Sequence, residues 1–237
     1  MHHLKIECHM ASRPLQAGRL ALVFAGLALV AGTHPAAQQP GSVRGRVSIG
    51  IPITARRATS TYSRTVPTVA LAPESELRHV VVYLKDAPHT TVAPMHAEIR
   101  QENENFVPRV VAVTAGSEVD FPNDDPIYHN VFSLSRVKTF DLGRYPKGQS
   151  RRVRFDKPGV VKVFCQVHSH MSATVMVFDH PWFAIPGDQG TFELPAIPPG
   201  AHQVTAWHER LGDTTVDVRI DAARAVTADF VLPVPEQ

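Results

Sequence analysis

At 237 residues with 43% hydrophobic side chains, the chain is long enough for one large domain or two small ones, each with a real core. Its 24 basic and 22 acidic side chains leave a formal charge of only +2. Lys5, Arg13, Arg19 and Glu7 lie in an N-terminal leader and account for that whole excess, so the remaining chain is neutral with histidine uncharged. Such a balance gives no electrostatic footprint for nucleic acid.

The leader comes first in chain order. Arg13 and Arg19 precede the apolar run 20–31, and the small residues Gly32, Ala36 and Ala37 follow it. This pattern predicts an export signal over residues 1–37, and the run is short for a membrane span. The expected location is periplasmic or otherwise exported, with no stable membrane insertion once the signal is cut; a retained anchor is the alternative. Cys8 leaves with the signal. Cys165 is then the single cysteine, and no intramolecular disulfide can form.

Past the leader no segment has a helical period. Apolar residues alternate or run in short blocks, which is the signature of strands. Val43, Val47 and Ile49 mark a first strand over 43–49, and the Pro-, Ser- and Thr-bearing stretch 50–76 reads as a long loop. Val80-Val81-Val82-Tyr83-Leu84 is a short buried strand stopped by Asp86-Ala87-Pro88. From about residue 95 strand candidates crowd together at 98–100, 109–114, 118–121, 130–133, 151–155, 160–165 and 173–178. Turns at Gly116, 123–126, Gly148 and 157–159 separate several of them. This spacing predicts an all-β antiparallel sandwich. Four more candidates follow at 191–194, 203–207, 214–220 and 226–232, with a hard turn at 195–200.

Cys165 stands in Val163-Phe164-Cys165-Gln166-Val167-His168-Ser169-His170-Met171, and His129 lies upstream in Tyr128-His129-Asn130. A lone Cys is more often a small buried hydrophobe, and a lone His is usually solvated. Here the residue order, spacing and exported context act together. Two imidazoles, a thiolate and a weak thioether form the donor set of a mononuclear blue-copper site. Zinc could use the same thiol and imidazoles, with His170 as its fourth ligand. One cysteine excludes a dicopper centre. His168-x-His170 is the one His-x-His pair after the leader, too few for a multicopper oxidase. No Ser-His-Asp or paired-carboxylate spacing stands out, so hydrolytic catalysis is not the expectation. His79, His89, His96, His180, His202 and His208 read as structural, Trp182 and Trp207 as packing, and Asp124-Asp125 as turn chemistry.

Residues 98–180 resemble a cupredoxin. The resemblance rests on Phe106-Val107-Pro108, the stretch Gly116-Ser117-Glu118-Val119-Asp120-Phe121-Pro122-Asn123-Asp124, His129-Asn130-Val131, Phe140-Asp141 and Pro158-Gly159. It ends on Cys165-x-x-His168-x-x-Met171, the spacing of the short ligand loop of amicyanin-like members of this plastocyanin-like group. The resemblance implies a Greek-key β-sandwich over 95–183 that binds one type 1 copper ion through His129, Cys165, His168 and Met171. It further implies single-electron transfer between transient redox partner proteins, and no enzyme activity. One departure is His170, where simple loops carry an apolar residue; it could compete with His168 or act as an electron port.

The flanks 42–90 and 186–237 resemble a small carboxypeptidase-regulatory-like, prealbumin-type β-sandwich. The carriers are Val43-Arg44-Gly45-Arg46-Val47, Gly190-Thr191-Phe192-Glu193-Leu194 and the run 197–207. The copper module would then be an insertion; the alternative is a separate C-terminal domain. The combined order resembles exported proteins of the methylamine-utilisation type. A periplasmic copper carrier without an electron-transfer role, and an interaction protein holding no metal, are the rival functions.

Overall fold

Runs in which every second residue is apolar have no choice but to extend, because that is how one face reaches a core while the other stays wet. The computed structural model describes residues 39–50 and 75–233. The expected export signal and most of the expected loop at 50–76 lie outside the described residues. The described chain is all-β, apart from one 3-10 turn at Glu76–His79. No helix in it is long and apolar enough to cross a membrane.

In chain order the strands begin with β1 (Gly41–Ile49), β2 (Val80–Leu84), β3 (His96–Glu98), β4 (Arg100–Glu102), β5 (Asn105–Val107) and β6 (Val110–Thr114). There follow β7 (Ser117–Pro122), β8 (His129–Ser135), β9 (Lys138–Tyr145), β10 (Ser150–Phe155), β11 (Gly159–Phe164) and β12 (Ser172–Phe178). The chain closes with β13 (Phe183–Ala184), β14 (Thr191–Ile197), β15 (Gly200–His208), β16 (Gly212–Ile220), β17 (Ala225–Thr227) and β18 (Phe230–Leu232).

Two sheets enclose the core beneath the Cys165 loop. One has the order β10-β7-β3, the other β6-β12-β11-β8-β9. Val119, Phe121, Val153 and Phe155 from the first meet Val131, Val161, Val163, Val175 and Val177 from the second. Burying these side chains supplies roughly 1.5–3 kcal/mol each relative to exposure. A second core lies between the sheet β14-β1-β17, with β18 also on β1, and the sheet β13-β2-β15-β16. Val43, Val47, Val80, Val82, Leu84, Leu194, Val204, Ile220 and Phe230 fill it. Thus β1 and β2 pair with strands that follow the intervening 96–178 segment, not with that segment.

All described residues belong to one compact unit, Ala37–Gln237. The outer faces of β2 and of β6 and β12 meet through Val81, Val110, Met176 and Phe178, with Tyr83 and Trp207 packed against them. Lys162, on β11, sits 5.5 Å above the Trp207 ring and 2.7 Å from Glu209. This double burial explains two sequence features. Val80-Val81-Val82 is apolar on both faces because β2 is covered on both, and Ala173-Thr174-Val175-Met176-Val177 in β12 is likewise buried on both, with Thr174 its polar member.

Several expectations change in detail. The sheets are mixed, because β12 runs parallel to β6, β3 to β7, and β1 to both β17 and β18. Strands joined by long excursions are free to pair in either direction, whereas tight hairpins force antiparallel pairing. The expected strand at 98–100 is two strands hinged at Ile99, whose N–H donates to the Asp120 carbonyl at 2.9 Å. The expected strand at 226–232 is broken after Thr227. There the Ala228 N–H donates to the Arg44 carbonyl, and the Asp229 carboxylate accepts from the Arg46 N–H at 2.8 Å. The sequence signal missed β9 altogether, since Thr139, Asp141 and the left-handed Gly143 (φ 66°) dilute its alternation.

Gly45 carries a sharp test of this packing. A Cβ there would lie 1.8 Å from the Ala228 carbonyl oxygen, a backbone atom that no rotamer change can move. Gly45→Ala is expected to cost about 3 kcal/mol or more. Urea denaturation should show it as a lower midpoint at unchanged slope, and an unchanged midpoint would contradict the close approach of the Ala228 carbonyl to β1.

Candidate metal centre

The centre sits where β8 begins and β11 ends. Asn123 fixes the approach to β8: its side-chain NH2 donates to the carbonyls of Ile127 (2.8 Å) and Tyr145 (3.0 Å), and its Oδ1 accepts from the Asp125 N–H. The loop therefore delivers His129 to the first position of β8 with its ring fully buried. Cys165 follows the last residue of β11. Its loop turns tightly, with the Met171 N–H donating to the His168 carbonyl (3.0 Å) and the Cys165 N–H to the Met171 carbonyl (3.3 Å). The Gln166 N–H donates to Asn130 Oδ1 at 2.7 Å, which ties this loop to β8.

Three donors converge. His129 Nδ1 lies 3.0 Å from His168 Nδ1 and 3.8 Å from Cys165 Sγ. One donor atom from each of His129, Cys165 and His168 falls within 4.8 Å of the others. His129 and Cys165 are buried and His168 is half-exposed, so the group opens to solvent on one side only. Met171 is buried at the end of the same loop. His170 stands outside the group and faces the Glu104 carbonyl at 2.9 Å. A zinc site completed by His170 is therefore not what the side chains form.

The electrostatics favour the thiolate of Cys165 and a protonated His129. Burial alone would lift the Cys165 thiol, but His129 and the backbone at Asn130, His168 and Val167 hydrogen-bond to it and bring it below its ordinary value. Burial would lower His129, yet Asp125 and Cys165 together raise it to about 9. Asp125 Oδ2 lies 2.8 Å from His129 Nε2, and the same carboxylate accepts the N–H groups of Asn103 (2.6 Å) and Glu104 (2.8 Å). The Asp125 contact keeps the proton on Nε2 and turns Nδ1 toward the thiol, as a ring nitrogen must be oriented to bind a metal.

From the sequence, Asp125 reads as turn chemistry. It does make the turn, but its carboxylate is buried and addresses His129.

A pH dependence follows. Without metal, a proton on His129 Nδ1 is held until about pH 9. Its folded pKa is raised, so it stabilises the metal-free chain fully below about pH 6.5, and that contribution fades as pH rises through about 9. A metal ion taking Nδ1 must displace that proton. Affinity for copper is therefore expected to rise about tenfold per pH unit for each proton released, flattening near pH 9. Competition titrations at several pH values check this; a flat affinity would contradict the assigned protonation.

A second cluster, Glu76, His79 and His208, also brings ligand atoms within 4.8 Å of one another. The sequence gives no spacing between these histidines. In the fold, His208 Nδ1 accepts the backbone N–H groups of Arg210 (3.1 Å) and Leu211 (3.2 Å). Its proton is thus on Nε2, which donates to Glu76 at 3.2 Å. Burial lowers the His208 pKa and keeps the ring neutral, and Arg210 also grips Glu76. Nε2 is committed as a donor, so this cluster fits a structural network and not a metal.

No family model and no curated protein matches this chain. Solved structures similar to it include a purple cupredoxin from Nitrosopumilus maritimus, 22% identical, covering 35% of this chain and 99% of that one at a TM-score of 0.32. A Cu(I) form of an amicyanin mutant is 20% identical over 37% of this chain and 86% of its own, at 0.34. A copper-containing nitrite reductase from Thermus scotoductus is 19% identical over 45% of this chain and 27% of its own, also at 0.34. Side-chain geometry, and not these likenesses, carries the functional reading.

Proposed function

We propose that this chain is an exported blue-copper electron carrier, with one copper ion held by His129, Cys165, His168 and Met171. The observation that carries the reading is the convergence of two imidazole Nδ1 atoms and one thiol at a single rim. The donor set fits copper: soft sulfur suits Cu(I), imidazole suits Cu(II), and a thioether tunes the balance. When bound, the ion would supply one-electron exchange between its two oxidation states.

The chain's own residues do the rest. Asp125 keeps His129 in one tautomer and one orientation. Backbone hydrogen bonds to Cys165 stabilise the thiolate and hold its sulfur in place. Both loops spring from strands of a packed sandwich, so the donors are preorganised and little has to move when charge changes. Half-exposed His168 offers the edge nearest solvent, with Tyr128 and Val167 exposed beside the two ligand positions. A small apolar rim of this kind suits brief encounters with a redox partner protein. With Met171 as the fourth donor, a bound ion would have no open position for a substrate, which supports a carrier over an enzyme. The two flanking β-sheets around the second core are, in this reading, a prealbumin-like platform interrupted by the copper module.

Voltammetry of the copper-loaded chain tests the carrier role. A reversible one-electron wave is expected. A colourless protein that binds copper only as Cu(I) and shows no reversible wave would make it a copper carrier or sensor instead.

A further inference from the structure

Asn103 and Glu104, between β4 and β5, both have left-handed backbone conformations, with φ of 52° and 57°. Glutamate rarely adopts this conformation, and it persists only where surrounding contacts hold it. The contacts here point to the metal centre from outside. The N–H groups of both residues donate to the Asp125 carboxylate, which faces His129. The Glu104 carbonyl, turned the other way, lies 2.9 Å from His170 Nε2 on the Cys165 loop. Asn105 Nδ2 donates to the Asn103 carbonyl at 2.8 Å and fixes the turn itself. The turn is also tied to the body of the sandwich, because the Asp124 N–H donates to the Gln101 carbonyl at 2.9 Å.

One two-residue turn thus touches both ligand loops, one through Asp125 and the other through His170. We infer that the Asn103–Glu104 turn is a bracket that locks the His129 loop to the Cys165–Met171 loop, and that His170 is the positioning residue that closes it. This deepens the copper-centre reading and assigns His170 neither a ligand role nor an electron port. His170 Nε2–H donates to the Glu104 carbonyl, so that nitrogen is committed there and does not join the three convergent donors. Its ring centroid is 6.1 Å from that of His168, close enough to limit how far that ring can swing. The bracket consists of protein groups alone, which is what preorganisation of the two loops requires.

The test compares the full chain with His170→Phe, which keeps ring bulk and loses the donor, and His170→Gln, which keeps an N–H donor. In the metal-free protein, amide exchange at Gln166 and Met171 should accelerate about fivefold in His170→Phe, the effect of losing one neutral hydrogen bond. In the copper-loaded protein, release to a chelator should accelerate by a similar factor at unchanged stoichiometry, with a shifted copper hyperfine splitting. His170→Gln should restore both. Unchanged exchange and release in His170→Phe would overturn the bracket, and so would loss of stoichiometric copper, which would make His170 a ligand. A wild type that takes up no copper, while the exchange arm moves as expected, would sink the copper reading and leave the bracket standing.

Discussion

Replacing Asp125 by alanine is expected to weaken copper binding by about tenfold to a hundredfold, although Asp125 is not itself a proposed ligand. Its buried carboxylate holds the His129 Nε2 proton and two backbone N–H groups. Without it, Nδ1 of His129 loses its fixed direction, and the two N–H groups are left without their acceptor. The buried His129 Nε2–H also loses its partner, at roughly 1–3 kcal/mol, so stability should fall as well. Asp125→Asn separates the effects. It retains the shape and one acceptor oxygen but turns an NH2 toward groups that also donate. Its affinity loss should therefore persist while much of the stability returns. Chelator competition and urea denaturation on the two variants check this. Wild-type affinity in Asp125→Ala would show that the carboxylate serves the turn alone.

The second large effect is expected far from the centre. Val81 is fully buried on the face of β2 that meets Val110, Met176 and Phe178. Val81→Asp would place a carboxylate among apolar side chains, at a cost of about 4 kcal/mol. Val81→Ala, which only opens a small cavity, should cost about 2 kcal/mol. Because β12 starts directly after Met171, loosening its outer face should reach the Cys165 loop, and copper release should quicken in Val81→Asp. A denaturation midpoint within about 0.5 kcal/mol of wild type would contradict the tight seam between the two sandwiches.

The parts of this account that were legible in the sequence are those written within a few residues. Val80–Leu84 declares a buried strand by itself, and Cys165, His168 and Met171 share one short loop. His129 is legible because it lies between the turn Asn123-Asp124-Asp125-Pro126 and the strand run that begins at Asn130. What the sequence hid depends on distant partners. Asp125 meets donors 21 and 22 residues away on the Asn103–Glu104 turn. His170 finds its acceptor 66 residues away, and His208 finds Glu76 132 residues away. Neither separation leaves a periodic or spacing signal. The parallel pairing of β6 with β12 is hidden for the same reason, since alternation fixes which face is buried and not which neighbour lies alongside. Strand β9 was lost because its polar residues and left-handed glycine weaken the alternation that a half-buried edge strand needs to be seen.

The most direct measurement is the optical spectrum of the purified full chain after one equivalent of Cu(II), set beside that of Cys165→Ser. The wild type is predicted to develop an intense visible band from thiolate-to-copper charge transfer, and the serine variant to lack it. Stoichiometric copper in the wild type with no such band, or the same band in both proteins, would contradict a copper ion bonded to the sulfur of Cys165.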